Sequence, residues 1–352
     1  MDTQVTERFN PEMLKLARQL RQLVQKELAE ATGISQGTIS KIELGIEEPS
    51  PSTVSIFANA LRFPGDFFLQ GGVLYPPAAP LQRRRSQLRK RDLDFAEAMG
   101  NFRRLILSRL LSSVEIDVGI PEFDAESFDG NMESIASQVR AIFRLPMGPI
   151  ANLVQVLEDA GAFVSFFDFG SVYLDGFTLV GDGIHPLILG NSSSPMDRLR
   201  FTLAHELAHL VLHRRSRSVD FEREANEFAA CFLMPEREIR THLVRLTLER
   251  LADLKRYWKA SMNSLLRRAV SLRTVTPSQA KYLWIQMGKR GLRTKEPVEI
   301  PRETPTLEHE ILDFYRKELR YSDEDLLRLL RIGKTDLEEL YDEQRRRLRL
   351  IK

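Results

Sequence analysis

The sequence predicts a multi-domain α+β chain, mostly helical, with one small antiparallel sheet near its middle. Three observations predict it. At 352 residues the chain suggests two or three domains, taking about 150 residues per domain. Hydrophobic residues make up 43 % and charged residues 28 %, the balance of an ordinary globular protein rather than a disordered or fibrous one. Apolar residues recur at helical spacing at both ends, and β-branched and aromatic runs gather only between residues 162 and 191.

Charge and cysteine usage set the setting. The formal net charge is +2, so no bulk cationic field advertises a nucleic-acid partner. The single cysteine, Cys231, excludes an intramolecular disulfide and a cysteine-rich zinc module, and it fits a reducing compartment. The first residues, MDTQVTERFN, lack the basic start and apolar stretch of a signal peptide. No uninterrupted apolar run reaches the ~20 residues that cross a bilayer, so a cytoplasmic protein without a membrane partner is expected.

Residues 11–69 read as short helices with polar turns. Within QKELAEATGISQGTISKIELG, Glu27–Thr32 supply one helix and Gly33 the positive-φ turn. Ile34 fills the core, and Ser35 caps a second helix that carries Gln36, Thr38, Ser40 and Lys41 outward. Ala29 is small where the two helices cross. Such side chains reach base edges or phosphates from a helix lying in the major groove; a polar surface helix of an ordinary bundle is the other reading. Residues 1–70 carry seven basic side chains against nine acidic ones, which lowers non-specific affinity for DNA.

GGVLYPPAAP (Gly71–Pro80) cannot propagate a helix and serves as a connection. A long helix follows, with Leu81, Leu88, Phe95, Met99, Phe102, Ile106 and Leu110 at helical spacing. Its early Arg83, Arg84, Arg85, Arg89, Lys90 and Arg91 form either a set of phosphate contacts or a solvated face. From Met132 come two amphipathic helices, the second stopped at Gly161. AFVSFFDF, SVYLDGFTLV and HPLILGN are strands, and HPLILGN is a candidate edge for pairing with an extended substrate backbone. Helices at 195–214 and 219–233 follow, the second stopped by Pro235, and everything after that is helical. Cys231, Trp258 and Trp284 read as core.

The chemistry concentrates in RFTLAHELAHLVLH (200–213), which contains His205, Glu206 and His209. Histidines four apart share one helical face, so both imidazoles can meet one tetrahedral zinc. Glu206, beside the first of them, can accept a proton from water at the metal. Burying two histidines and a glutamate on so apolar a helix costs several kcal/mol without partners, and a metal offsets that cost. A third ligand is needed. His213 lies about 12 Å from His205 along the axis, too far for one ion. It reads instead as a partner that orients a ligand or as a helix-end residue. The helix DFEREANEFAACFLMP offers Glu222 and Asn226 on one stripe, Glu222 as ligand and Asn226 as a group orienting a histidine. Glu224 and Glu227 point elsewhere, into solvent. His185, Tyr173 and His213 remain open as hydrogen-bond donors to a transition state.

Two resemblances follow from these residues. QKELAEATGISQGTISKIELGIEEPSPSTVSIFANAL and the trailing PGDFF resemble the Xre/Cro-type helix-turn-helix family. This implies a five-helix DNA-binding domain with recognition helix Gln36–Leu44. By position, Gln36, Gly37, Thr38 and Lys41 then lie nearest the DNA. It also implies a homodimer on operator DNA, with the 81–111 helix as a candidate dimer element. RLRFTLAHELAHLVLH followed by EREANEFAACFLMP resembles the ImmA/IrrE family of zinc metallopeptidases over Met132–Glu238. That resemblance implies a gluzincin-like domain, Zn2+ on His205, His209 and Glu222, and Glu206 as catalytic base. Its members cleave, or provoke the loss of, repressors that carry Xre-type domains.

Residues 240–310 are similar to the segment that follows the peptidase in fusions of these two domains. The chain thus divides into 1–70 (DNA binding), 71–131 (linker and basic helix), 132–240 (peptidase) and 241–352 (helical). The expected function is a DNA-binding regulator whose peptidase cleaves itself or a partner repressor. The alternative is a non-proteolytic transcription factor whose HExxH domain is structural or senses a ligand such as an acyl thioester.

Overall fold

The computed structural model describes residues 8–71, 74, 89–181, 184–214 and 220–338. Arg83, Arg84, Arg85, Leu81 and Leu88, singled out above, lie outside the described residues.

Four helices and a closing 3-10 turn form the N-terminal unit: α1 (Pro11–Leu20), α2 (Gln25–Thr32), α3 (Gln36–Glu43), α4 (Pro51–Leu61) and Gly65–Leu69. Their ends follow local chemistry. Asn10 caps α1 ahead of Pro11, and Ser50 caps α4 ahead of Pro51. Gly33 ends α2 at φ +72°, and the Ser35 hydroxyl accepts from Thr38 N at 3.1 Å to start α3. One tie was not foreseen. The Arg18 guanidinium of α1 grips Glu43 at the end of α3 in a two-pronged pair, Nε–Oε1 2.6 Å and Nη2–Oε2 2.8 Å. Both side chains are buried, so this fork sets the angle of α3 against α1.

The long helix α5 (Lys90–Leu110) is the spine of the molecule. Gly100 sits where the sheet crosses it: a Cβ there would lie 2.8 Å from Leu189 Cδ1 and 3.0 Å from Leu179 Cδ1. Phe102 meets Phe63 of the N-terminal unit edge to face. Leu105, Ile106, Leu107 and Leu110 are buried within the chain, as are Arg103 and Arg104. The described part of the 81–111 helix therefore has most of its apolar surface buried within the chain.

Helices α6 (Met132–Ile142) and α7 (Leu153–Asp159) lead into the sheet β1 (Phe163–Phe167), β2 (Gly176–Gly181) and β3 (Ile184–Asn191). The strand order is β1-β3-β2. β2 pairs with β3 antiparallel, but β1 runs parallel to β3, with Val164 opposite Ile188. The sheet is thus mixed rather than antiparallel, because the chain returns through β2 before laying β3 between the other two. β3 is central, so HPLILGN is not an edge; β1 and β2 are.

Helix α8 (Met196–Leu212) covers one face of this sheet and α5 the other. Alternation divides the side chains accordingly. Ile188 and Val164 join the core with α6, α7, α8, α9 (Phe221–Leu233) and the helices 248–289. Leu187, Leu189, Phe177 and Leu179 join the core with α5, the N-terminal unit and residues 307–337. Gly176 and Gly190 let α8 approach: a Cβ on Gly176 would lie 2.7 Å from Thr202 Cγ2.

The C-terminal part holds both cores together. Glu303 accepts from the backbone N–H groups of Leu153 and Val154 at the start of α7 and pairs with buried Arg200 of α8. At the other end of α7, Glu158 accepts from Thr306 N and Leu307 N, at 2.9 and 3.2 Å. Those residues open the helix Leu307–Lys317, whose Tyr315 hydroxyl donates to Leu110 O at 2.8 Å. Further on, Asp336 pairs with Arg21 of α1 at 2.8 Å. Among the described residues no helix is long and apolar enough to cross a membrane.

Candidate metal centre

The site forms where α8 and α9 pack. The i, i+4 spacing on α8 brings His205 and His209 together, their Nε2 atoms 3.1 Å apart. Two nitrogens each ~2.0–2.1 Å from one tetrahedral zinc stand about 3.3 Å apart, so this separation suits a shared ion. Glu222 arrives from the first turn of α9, with Oε2 3.6 Å from His205 Nε2 and Oε1 3.9 Å from His209 Nε2. Ligand atoms of the three residues all lie within 4.8 Å of one another. Glu222 Oε1 is buried with no hydrogen-bond partner, an oxygen that a cation would satisfy. The donor set, two imidazoles and a carboxylate, fits zinc.

Burial, and then the neighbouring His205 and His213 rings, push the His209 imidazole down to about 3. His209 is therefore neutral at physiological pH, the state in which an imidazole ligates.

Glu206 is buried, its Oε2 accepting from the Thr178 hydroxyl at 2.7 Å. Thr178 lies on the α8 face of β2. Sequence reasoning missed it; its signal was a lone hydroxyl two residues after Gly176 in an apolar strand, which gains meaning only once the sheet is laid on α8.

The residues around the histidines depart from expectation. Asn226 donates Nδ2 to the Glu222 carbonyl at 2.7 Å within its own helix. It is exposed and orients no histidine; the i, i+4 geometry that placed it near Glu222 gives it a backbone partner instead. Its expected role falls to His213. His213 Nδ1 lies 3.0 Å from His209 Nδ1, and His213 Nε2 lies 3.0 Å from Glu224 Oε2. Glu224 is accordingly not a solvated carboxylate: its side chain is only 15 % exposed, because His213 at the end of α8 lies against it. Phe221 packs on both the His209 and His213 rings. His185 places Nε2 2.8 Å from Ile116 O and packs edge-on to Phe163, so its ring is committed to the fold. Cys231 and Trp258 are core.

In the N-terminal unit Gln36, Gly37 and Lys41 are exposed on α3, and Thr38 is half-buried with its hydroxyl 2.9 Å from Ser35 Oγ. Ile39 and Ile42 hold the helix from beneath.

A helix-turn-helix unit joined to a domain with an HExxH helix defines the class: a DNA-binding protein with a peptidase-type domain. Family comparison places the two parts. Residues 14–68 match the helix-turn-helix family model, and residues 157–270 match the IrrE N-terminal-like domain of the peptidase M78 family. The chain carries an Xre-type helix-turn-helix domain and an IrrE-type domain. No curated protein matches the chain.

Proposed function

We propose that this chain is a transcriptional regulator that binds operator DNA as a homodimer. In this reading its IrrE-type domain is a zinc endopeptidase that cleaves the chain itself or a partner repressor to switch expression. The observation that carries the reading is the convergence of His205, His209 and Glu222 beside a buried, oriented Glu206.

His205, His209 and Glu222 would hold the ion. Zinc, when bound, supplies Lewis-acid polarisation of a peptide carbonyl and of water. Glu206 accepts the proton of the attacking water and delivers it to the leaving amine. Thr178 fixes the plane of the Glu206 carboxylate through Oε2, so the base is preset rather than mobile. An extended substrate would add to the outer edge of β2, the edge strand that carries Thr178. Gln36, Gly37, Thr38 and Lys41 would face the operator from α3.

The deciding experiment is Glu206→Gln. It abolishes cleavage of the target and the transcriptional response while zinc content and operator binding stay at wild-type levels. A variant that regulates normally overturns the peptidase reading and leaves the HExxH domain as a structural or ligand-sensing module.

A further inference from the structure

We infer that Glu224 and His213 are positioning residues: a carboxylate–imidazole chain that fixes the tautomer and ring angle of His209 and so raises the domain's affinity for zinc. The inference rests on the proposed metal site and goes beyond its three ligands.

One arrangement of hydrogens along these contacts leaves His209 able to ligate. An ionised Glu224 can only accept, so His213 Nε2, 3.0 Å away, carries a hydrogen and donates it. With its hydrogen on Nε2, His213 turns Nδ1 as an acceptor towards His209. That atom lies 3.0 Å from His209 Nδ1, which must supply the hydrogen between them. His209 is left with its lone pair on Nε2, and Nε2 is the atom that converges with His205 Nε2 at 3.1 Å. Reversing the chain would put a hydrogen on His209 Nε2 and block ligation. It would also leave His213 facing Glu224 with a lone pair against a carboxylate.

The surroundings enforce the geometry. The His213 side chain is 7 % exposed, so water does not compete for it. Phe221 lies 5.8 Å from the His209 ring and 6.0 Å from the His213 ring, closing the pair against α9. Helix spacing does the rest: His213 follows His209 by four residues, the same step that separates His209 from His205. Three histidines thus share one stripe of α8 and its end, two aimed at the ion and the third aimed at the second.

Hydrogen-bond partners behind metal ligands change affinity by about 10–100-fold. The experiment measures zinc affinity of the full-length protein by competition with a chromophoric chelator. The variants are His213→Phe, which keeps the ring, Glu224→Leu, which removes the acceptor, and Glu224→Gln, which keeps a neutral one. His213→Phe and Glu224→Leu each weaken zinc binding about 10–100-fold, Glu224→Gln falls between them and wild type, and the double variant is no weaker than His213→Phe. Stoichiometry stays at one zinc per chain. Long-range 15N–1H spectra of the metal-free protein show His209 as the Nδ1–H tautomer in wild type and a loss of that preference in His213→Phe.

Wild-type zinc affinity in both His213→Phe and Glu224→Leu overturns the inference. So does weaker binding with an unchanged His209 tautomer, which makes the chain only a packing element. If His213→Phe does not fold, the Glu224 pair decides alone. His205→Ala separates this from the metal site itself: zinc retained by that variant, or absent from wild type, sinks the site and not merely its support.

Discussion

The two faces of the sheet are built differently. On the α5 face, Leu187, Leu189, Phe177 and Leu179 meet an apolar wall, and the helix-turn-helix unit that joins this core is braced by the Arg18–Glu43 fork. On the α8 face a hydroxyl, Thr178, reaches from the strand to the side chain proposed as base. A uniform apolar contact transmits position without chemistry, whereas a polar contact ties the reactive group to one strand. The DNA-binding unit is therefore fixed as a body, and the candidate metal centre is fixed atom by atom.

The largest expected effect breaks one side only. Arg18→Met leaves the buried Glu43 without its cation, with only the Gln25 Nε2 hydrogen bond, and should cost about 4 kcal/mol, the range found for halved buried ion pairs. Chemical denaturation should report the loss and gel-shift assays should show weakened operator binding. Zinc stoichiometry should stay the same; a fall in zinc would mean that the two faces are not independent.

A smaller effect tests the link between the faces. Burial is the main cause that raises Glu158 to about 7, against the hydrogen bonds from Thr306 and Leu307 that pull it down. A carboxyl whose folded value lies above its unfolded one favours the native state while protonated. That contribution is present below about pH 4.5 and is lost as pH rises through about 7, up to about 3 kcal/mol in all. Glu158→Gln removes it. The unfolding free energy of wild type minus that of the variant should therefore fall steadily between pH 4.5 and 7.5, and parallel curves would refute the assignment.

The smallest sharpens the contrast. Gly100→Ala presses a methyl on Leu189, Leu179 and Phe177, and the overpacking outweighs the helix-propensity gain by about 1 kcal/mol. Thermal melting should show it. Because the strain enters through apolar contacts alone, zinc affinity at the proposed site should stay at its wild-type value.

What the sequence revealed was whatever a few neighbouring residues decide. Ser35 and Gly33 delimit the turn into α3 because caps act within four residues. His205 and His209 announce a shared face for the same reason. The Glu222 assignment required only that α9 pack against α8, which its small Ala225 and Ala229 suggest. The rest depends on contacts between distant segments. Thr178 meets Glu206 only because β2 lies across α8, and Glu224 meets His213 only because α9 packs against the end of α8. The sheet was misread because three adjacent strands are most simply drawn as a meander, whereas a parallel β1–β3 pair requires the strand between them to move to the far edge.

The bond between Arg21 and Asp336 spans 315 residues. Ribosomes work from the amino end, so the DNA-binding helices are made long before the carboxylate that ties them to the body. Glu303, which seats the start of α7, also arrives late, 150 residues after Leu153. Contacts of such range are slow to form. A nascent chain stalled before residue 303 would hold a helix-turn-helix that lacks only its Asp336 tie, so ribosome-bound intermediates should show protease-resistant N-terminal fragments before the remainder becomes resistant.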